Sequence, residues 1–427
     1  MNNSGSADSL KCSAVIVKVA GRCNINCSYC YMYNRGDNSF LQQPKKMSEA
    51  TVLHLVNRVK DHCRLNNISR FEFILHGGEP LLAGQDFFKM FVSHAKTVLL
   101  PEIQPSFAMQ TNAILLNDDW CQTLGELNIN TGISMDGTRE SHDMYRVDFK
   151  GNGTYDDVLA GLKTAQQSPY LKNKPGILCV LNIDSDPVDI YHSFRQIGVQ
   201  HIDIIIPDYN HDSPPPQKHY EQSTHAYADW LIRLFNYWYN EGEQRLTIRY
   251  FDALIDLVLG NESGFDFLGT AKNELLVIET DGSIETVDVL KICGDGFTKA
   301  CANVSTHSFD EAMQTPLASL YRMANIKVPK KCSVCPVREV CGGGYIPHRY
   351  SSENGFNNPS VYCNDLLKLI THIQNRVMDD LPADYVEASG AEKLTYEEAL
   401  KIIEYELANT EEPDYVAELE GFAKHDH

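Results

Sequence analysis

Short apolar runs recur through the first half of the chain, each followed by a longer stretch whose apolar residues fall three and four positions apart. The runs are SAVIVKVA, RFEFILHG, SFAMQTN, NTGISMDG, GILCVLNI and HIDIIIPD. Their length and their β-branched and aromatic content predict strands. The stretches between them, among them SEATVLHLVNRVKDHC, DFFKMFVSHAKTVLL, DDWCQTLGEL, TYDDVLAGLKTAQQ and DPVDIYHSFRQIG, predict helices, with Ser48 placed to cap the first. Strand followed by helix, repeated six times, predicts an α/β fold with a parallel sheet, because parallel neighbours need crossover helices. Six units in place of eight predict an open, partial TIM-like barrel, (β/α)6, whose chemistry sits at the C-terminal strand ends.

The pattern changes after Pro207. DYNHDSPPPQKHY predicts a loop, since three prolines exclude regular pairing. His211 and His219 flank those prolines and are expected to be polar surface or the border of a pocket. The aromatic stretch YADWLIRLFNYWY has the spacing of a buried helix face, and LTIRYFDALIDLVLG predicts a second helix. LLVIETDGSIETVDV predicts a hairpin turning at Asp281-Gly282. Acidic helices close the chain.

Composition narrows the function. The chain of 427 residues carries a formal net charge of −20, so no basic excess exists to release counterions from a nucleic acid. No apolar run approaches the roughly 20 residues of a membrane span, and residues 13–20 are too short for a signal peptide. A cytoplasmic protein with neither nucleic-acid nor membrane partner is therefore expected. Thirteen cysteines, an odd number, fit a disulfide framework poorly, and their clustering predicts metal ligation.

Cys23, Cys27 and Cys30 follow a C-x3-C-x2-C spacing directly after the first strand. Three thiolates can hold three irons of a [4Fe–4S] cube and leave the fourth iron open; structural zinc would want a fourth ligand nearby. The motif resembles the signature of radical S-adenosylmethionine (SAM) enzymes, in which SAM chelates the open iron. Further stretches carry the resemblance. HGGEPLL supplies Gly77, Gly78, Glu79 and Pro80, where the glycines are expected to admit the methionine moiety and Glu79 to accept from its ammonium. Tyr29 is implied near the adenine. Asn112 in MQTNAILL, Ser134 and Asp136 in GISMDG, and Arg146 in HDMYRVDFK are implied to line the SAM site.

A second group, Cys332, Cys335, Cys341 and Cys363, could ligate a cluster fully or hold zinc. Its spacing resembles the SPASM extension of radical SAM enzymes, which implies an auxiliary [4Fe–4S] cluster. Relatives often hold a second auxiliary cluster, but two of its cysteine positions are here Val287 and Tyr345. Asp288 is a candidate proton acceptor for substrate oxidation. Cys12, Cys63, Cys121 and Cys179 are expected to pack as small hydrophobes. The wording of residues 13–370 resembles cyclophane-forming peptide maturases, which implies a ribosomally made precursor peptide as substrate and a flavodoxin or ferredoxin as reductant. The alternatives are another SPASM oxidase, such as an anaerobic sulfatase maturase forming formylglycine, and a non-catalytic Fe–S carrier or zinc-binding protein. The implied organisation is an N-terminal arm (1–12), a radical SAM partial barrel (13–210), a helical bridge (211–274), a SPASM-type auxiliary-cluster domain (275–370) and acidic helices (371–427).

Overall fold

The computed structural model describes residues 10–216, 225–242, 245–390 and 392–424; His219 lies outside them. In chain order the elements are β1 (Ala14–Ala20), α1 (Glu49–Asn66), β2 (Arg70–Gly77), α2 (Gln85–Leu99), β3 (Gln104–Thr111), α3 (Asp118–Leu127) and β4 (Ile129–Ser134). They continue with α4 (Arg139–Tyr145), α5 (Tyr155–Gln167), β5 (Gly176–Val180), α6 (Pro187–Gln196), β6 (His201–Ile205), α7 (Ala226–Asn240), β7 (Thr247–Ile248) and α8 (Arg249–Val258). The hairpin strands β8 (Leu276–Ile278) and β9 (Ser283–Glu285) follow, then β10 (Ala302–Asn303). The expected alternation of strand and helix is present, and the strands of the first half are parallel.

Local chemistry accounts for the element ends. Ser48 Oγ accepts from Thr51 N at 3.1 Å and starts α1, and Asn67 ends it in the left-handed region. The buried stripe Val52, Leu55, Val56, Val59 and Cys63 is the face that α1 packs inward. Two features differ from the sequence pattern. LTIRYFDALIDLVLG is not one helix: Thr247 and Ile248 pair with His201 and Ile202 as β7, and α8 starts only at Arg249. β-Branched residues beside an open strand edge favour pairing over a helical first turn. The short α4 lies outside the stretches in which the apolar pattern predicts helices.

The chain divides into two compact units. One comprises Met1–Met135, Asp143–Gly176 and Glu274–Ser319. In it β1 lies between β2 and β8, parallel to both, and β9 turns back against β8 at Gly282, whose φ is +86°. Val15, Val17 and Val19 are sealed on one face of β1, while Phe73, Phe91 and Phe107 fill the space under β2 and β3. The second unit comprises Asp136–His142, Ile177–Asn273 and Leu320–His427. Its strands β5, β6 and β7 run parallel. α7 packs against the helix Cys363–Asp380 and buries Trp230, Leu234, Phe235 and Trp238, so the aromatic stretch is core, as its spacing indicated.

Candidate active site

The loop after β1 carries Cys23, Cys27 and Cys30. Asn34 fastens it, with Nδ2 donating to Cys27 O at 2.8 Å and to Asn26 Oδ1 at 2.9 Å. Burial pushes the Cys23 thiol up to about 12 and the Cys30 thiol to about 11, and the neighbouring thiols add to both shifts. The three cysteines share one loop, and at Cys23 and Cys30 burial favours the neutral thiol unless a bound cation stabilises the thiolate. Asn112 Nδ2, at the end of β3, lies 3.7 Å from Cys23 Sγ and donates to Asn24 Oδ1 at 2.7 Å.

The glycines after β2 have a demonstrable packing role. A Cβ on Gly77, whose φ is +150°, would meet Ala20 O at 2.2 Å, and one on Gly78 would meet Arg22 O and Tyr33 Oη at 2.3 Å. They let the end of β2 close against the end of β1. Pro80 opens the short helical turn that follows. Glu79 is fully buried and already engaged: its carboxylate accepts from Leu81 N, Thr111 Oγ1 and Asn112 N at 3.0, 2.7 and 2.9 Å. Burial still raises its pKa despite these bonds. Its visible work is to tie β2 to β3. Tyr29 Oη accepts from Arg146 Nη1 at 2.6 Å, joining the cysteine loop to the segment after α4. Ser134 Oγ accepts from Gln110 Nε2 at 2.8 Å. Asp136, in the second unit, caps β5 by accepting from Val180 N at 3.0 Å.

Asp288 begins the 3-10 turn Asp288–Cys293 and is 2 % exposed. It does not cap that turn. Its carboxylate pairs with the buried Lys18 ammonium and accepts from Tyr31 Oη at 3.0 Å. Burial alone would raise its pKa, but Lys18 and then His76 hold it down at about 2, so it is ionised at neutral pH. Lys18 and His76 are register partners on β1 and β2, with Lys18 Nζ 3.2 Å from His76 Nδ1. Burial, then Lys18, pulls His76 down to about 4, which leaves it neutral. Sequence reasoning missed Lys18, His76 and Tyr31. The signal was there: one lysine inside SAVIVKVA and one histidine closing RFEFILHG. A second buried ion group fixes the turn from below. Lys291 Nζ is 3.0 Å from both Glu279 Oε1 and Glu285 Oε2, and Gly296 N donates to Asp37 Oδ1 of the cysteine loop at 2.8 Å.

In the second unit Cys332, Cys335, Cys341 and Cys363 line one pocket, together with Gly343, Leu366 and Leu367. Burial pushes Cys332 to about 12 and Cys335 to about 11, and raises Cys341 and Cys363. No three His, Cys, Asp or Glu side chains among the described residues converge as for one metal ion. All thirteen cysteines are free of disulfides. Cys12, Cys63, Cys121 and Cys179 are buried, as small apolar groups would be. Val287 is buried and Tyr345 packs edge-on against Phe267, so neither position offers a thiol. His211 donates its backbone N–H to Tyr350 O and sets its ring against Pro359 O.

Residues 17–192, from within β1 into α6, match the model of the radical SAM superfamily. This part of the chain is a radical SAM domain, and the protein is an enzyme of that class. A cysteine-type anaerobic sulfatase-maturating enzyme of Clostridium novyi (strain NT) is 27% identical over 362 residues, covering 82% of this chain and 92% of that protein. The solved structure of native anSMEcpe with bound AdoMet superposes with a TM-score of 0.74 at 25% identity, covering 86% of this chain and 98% of that one. Streptococcus suis SuiB bound to precursor peptide SuiA shares the fold, with a TM-score of 0.52 at 17% identity over 78% of this chain and 72% of its own.

Proposed function

We propose that this enzyme oxidises a cysteine or serine side chain within a peptide or protein to an aldehyde, the formylglycine-forming alternative of the sequence analysis; relatives named cysteine-type and serine-type anaerobic sulfatase-maturating enzymes support it. When bound, a [4Fe–4S] cluster on Cys23, Cys27 and Cys30 and its SAM supply a 5′-deoxyadenosyl radical that takes one hydrogen atom from the substrate carbon. The carbon radical of a cysteine then sheds one electron and its thiol proton to become a thioaldehyde, which water converts to the aldehyde and hydrogen sulfide. The chain provides for both losses. Asp288 is an ionised carboxylate set next to the cysteine loop through Tyr31, and it receives the proton. Cys332, Cys335, Cys341 and Cys363 would hold an auxiliary cluster, which would supply an acceptor for the electron. A flavodoxin- or ferredoxin-like protein is the expected source of the starting electron.

The observation that carries this reading is the buried, charged Asp288 held by Lys18 and Tyr31. The test uses protein reconstituted without oxygen and given SAM, a reductant and a peptide containing the target cysteine. A hydrazide reagent should capture an aldehyde. Asp288→Asn should lower product formation by about 10²–10⁴-fold while 5′-deoxyadenosine still forms. Full product from Asp288→Asn removes the carboxylate from the mechanism.

One observation supports a second reading, cyclophane crosslinking of a precursor peptide. Val287 and Tyr345 stand where the SPASM resemblance implies further cluster cysteines in sulfatase maturases. A product lacking two hydrogens and inert to hydrazide would decide for the crosslink.

A further inference from the structure

Arg349 is fully buried at the end of the 3-10 turn Ile346–Arg349. Nη2 donates to Ala324 O at 2.7 Å. Nε and Nη1 have no hydrogen-bond acceptor among the described residues, and no carboxylate there pairs with the guanidinium. A buried cation with two idle nitrogens is destabilising unless something anionic faces it. Arg349 borders the wall of the thiol pocket: Gly343, which lines that pocket, would place a Cβ 3.3 Å from Nη1, and Cys332, Cys341 and Tyr415 are the groups that act on its charge. Two other cations line the pocket, Lys331, which acts on Cys363, and Arg338, but both are partly exposed, so water screens them.

We propose that Arg349 is the internal counter-ion of an iron–sulfur cluster on Cys332, Cys335, Cys341 and Cys363, donating Nε–H and Nη1–H to its sulfurs and raising its reduction potential. The inference rests on the function proposed above and deepens it. A thiolate-ligated cluster is already anionic and gains a further negative charge when reduced, so a fixed cation favours the reduced form. Arg349 then acts as a positioning and tuning residue that makes the cluster a better acceptor for the substrate's electron. Neutral thiols alone would give the guanidinium no reason to be there.

The test isolates this cluster in a chain bearing Cys23→Ala, Cys27→Ala and Cys30→Ala, and reads its midpoint by EPR-monitored redox titration. Arg349→Gln should shift the oxidised-to-reduced ratio about tenfold towards oxidised, about 59 mV for a one-electron couple. Arg349→Lys, which keeps the charge, should shift it by well under half as much. A second measurement needs no change at 349: with ¹⁵N-labelled arginine, pulsed EPR of the reduced cluster should detect a coupled guanidinium nitrogen. An unchanged midpoint in iron-replete Arg349→Gln, or no nitrogen coupling in the labelled protein, overturns the proposal. If the triple-cysteine variant binds no iron at all, the four-cysteine ligand set falls too. That failure is distinguishable, because the labelled cluster would never appear.

Discussion

A lysine sealed inside a strand is costly unless an anion meets it, and Lys18 meets Asp288. Replacing Lys18 with Met leaves the carboxylate buried and uncompensated. A loss of about 3–5 kcal/mol is expected from chemical denaturation. The acid limb of product formation should also move to higher pH, because Asp288 loses the cation that keeps it ionised. In the intact protein the sign runs the usual way for a depressed carboxylate. The pair's stabilisation is present above the ordinary value of 3.8 and is lost as pH falls through about 2; thermal melts across that window check it. The cysteines of the site were legible because thiol spacing is a strong signal. Lys18 and His76 were not, since each is a polar letter in or beside an apolar run and its meaning depends on a partner far along the chain.

At the scale of elements, most strands and helices of the first half could be read from the apolar pattern, because strands such as β1 and β2 bury alternate residues and long helices such as α1 and α7 carry a buried stripe. The misread segment, β7 with α8, shows the limit: two residues cannot display a period. The hairpin was legible from Asp281-Gly282, since the positive φ at Gly282 suits glycine. The close of β2 on β1 was not, and Gly77 tests it. Gly77→Ala forces a Cβ into Ala20 O at 2.2 Å with a backbone that L residues rarely adopt. It should cost more than about 2 kcal/mol and lower the iron retained by Cys23, Cys27 and Cys30, measured by denaturation and iron analysis. Ser48→Ala, which removes only the α1 cap, should cost about 1 kcal/mol and leave iron unchanged.

At the scale of the whole molecule, the charge of −20 argues on sequence grounds against nucleic-acid binding, and no helix among the described residues is long and apolar enough to cross a membrane. The two cysteine groups lie in different compact units. Cys332→Ala with Cys341→Ala should therefore remove about half the iron and spare SAM cleavage, a split readable by iron analysis and 5′-deoxyadenosine assay. What composition could not disclose is that the first unit is assembled from separated pieces of chain. β8 completes the β1 edge, yet it leaves the ribosome roughly 250 residues after it. At about 5–20 residues per second, that edge stays bare for some tens of seconds of synthesis. A nascent chain in this interval exposes a ready template for mispairing, so recovery of soluble protein should depend on chaperone supply during translation more than on the stability of the finished enzyme.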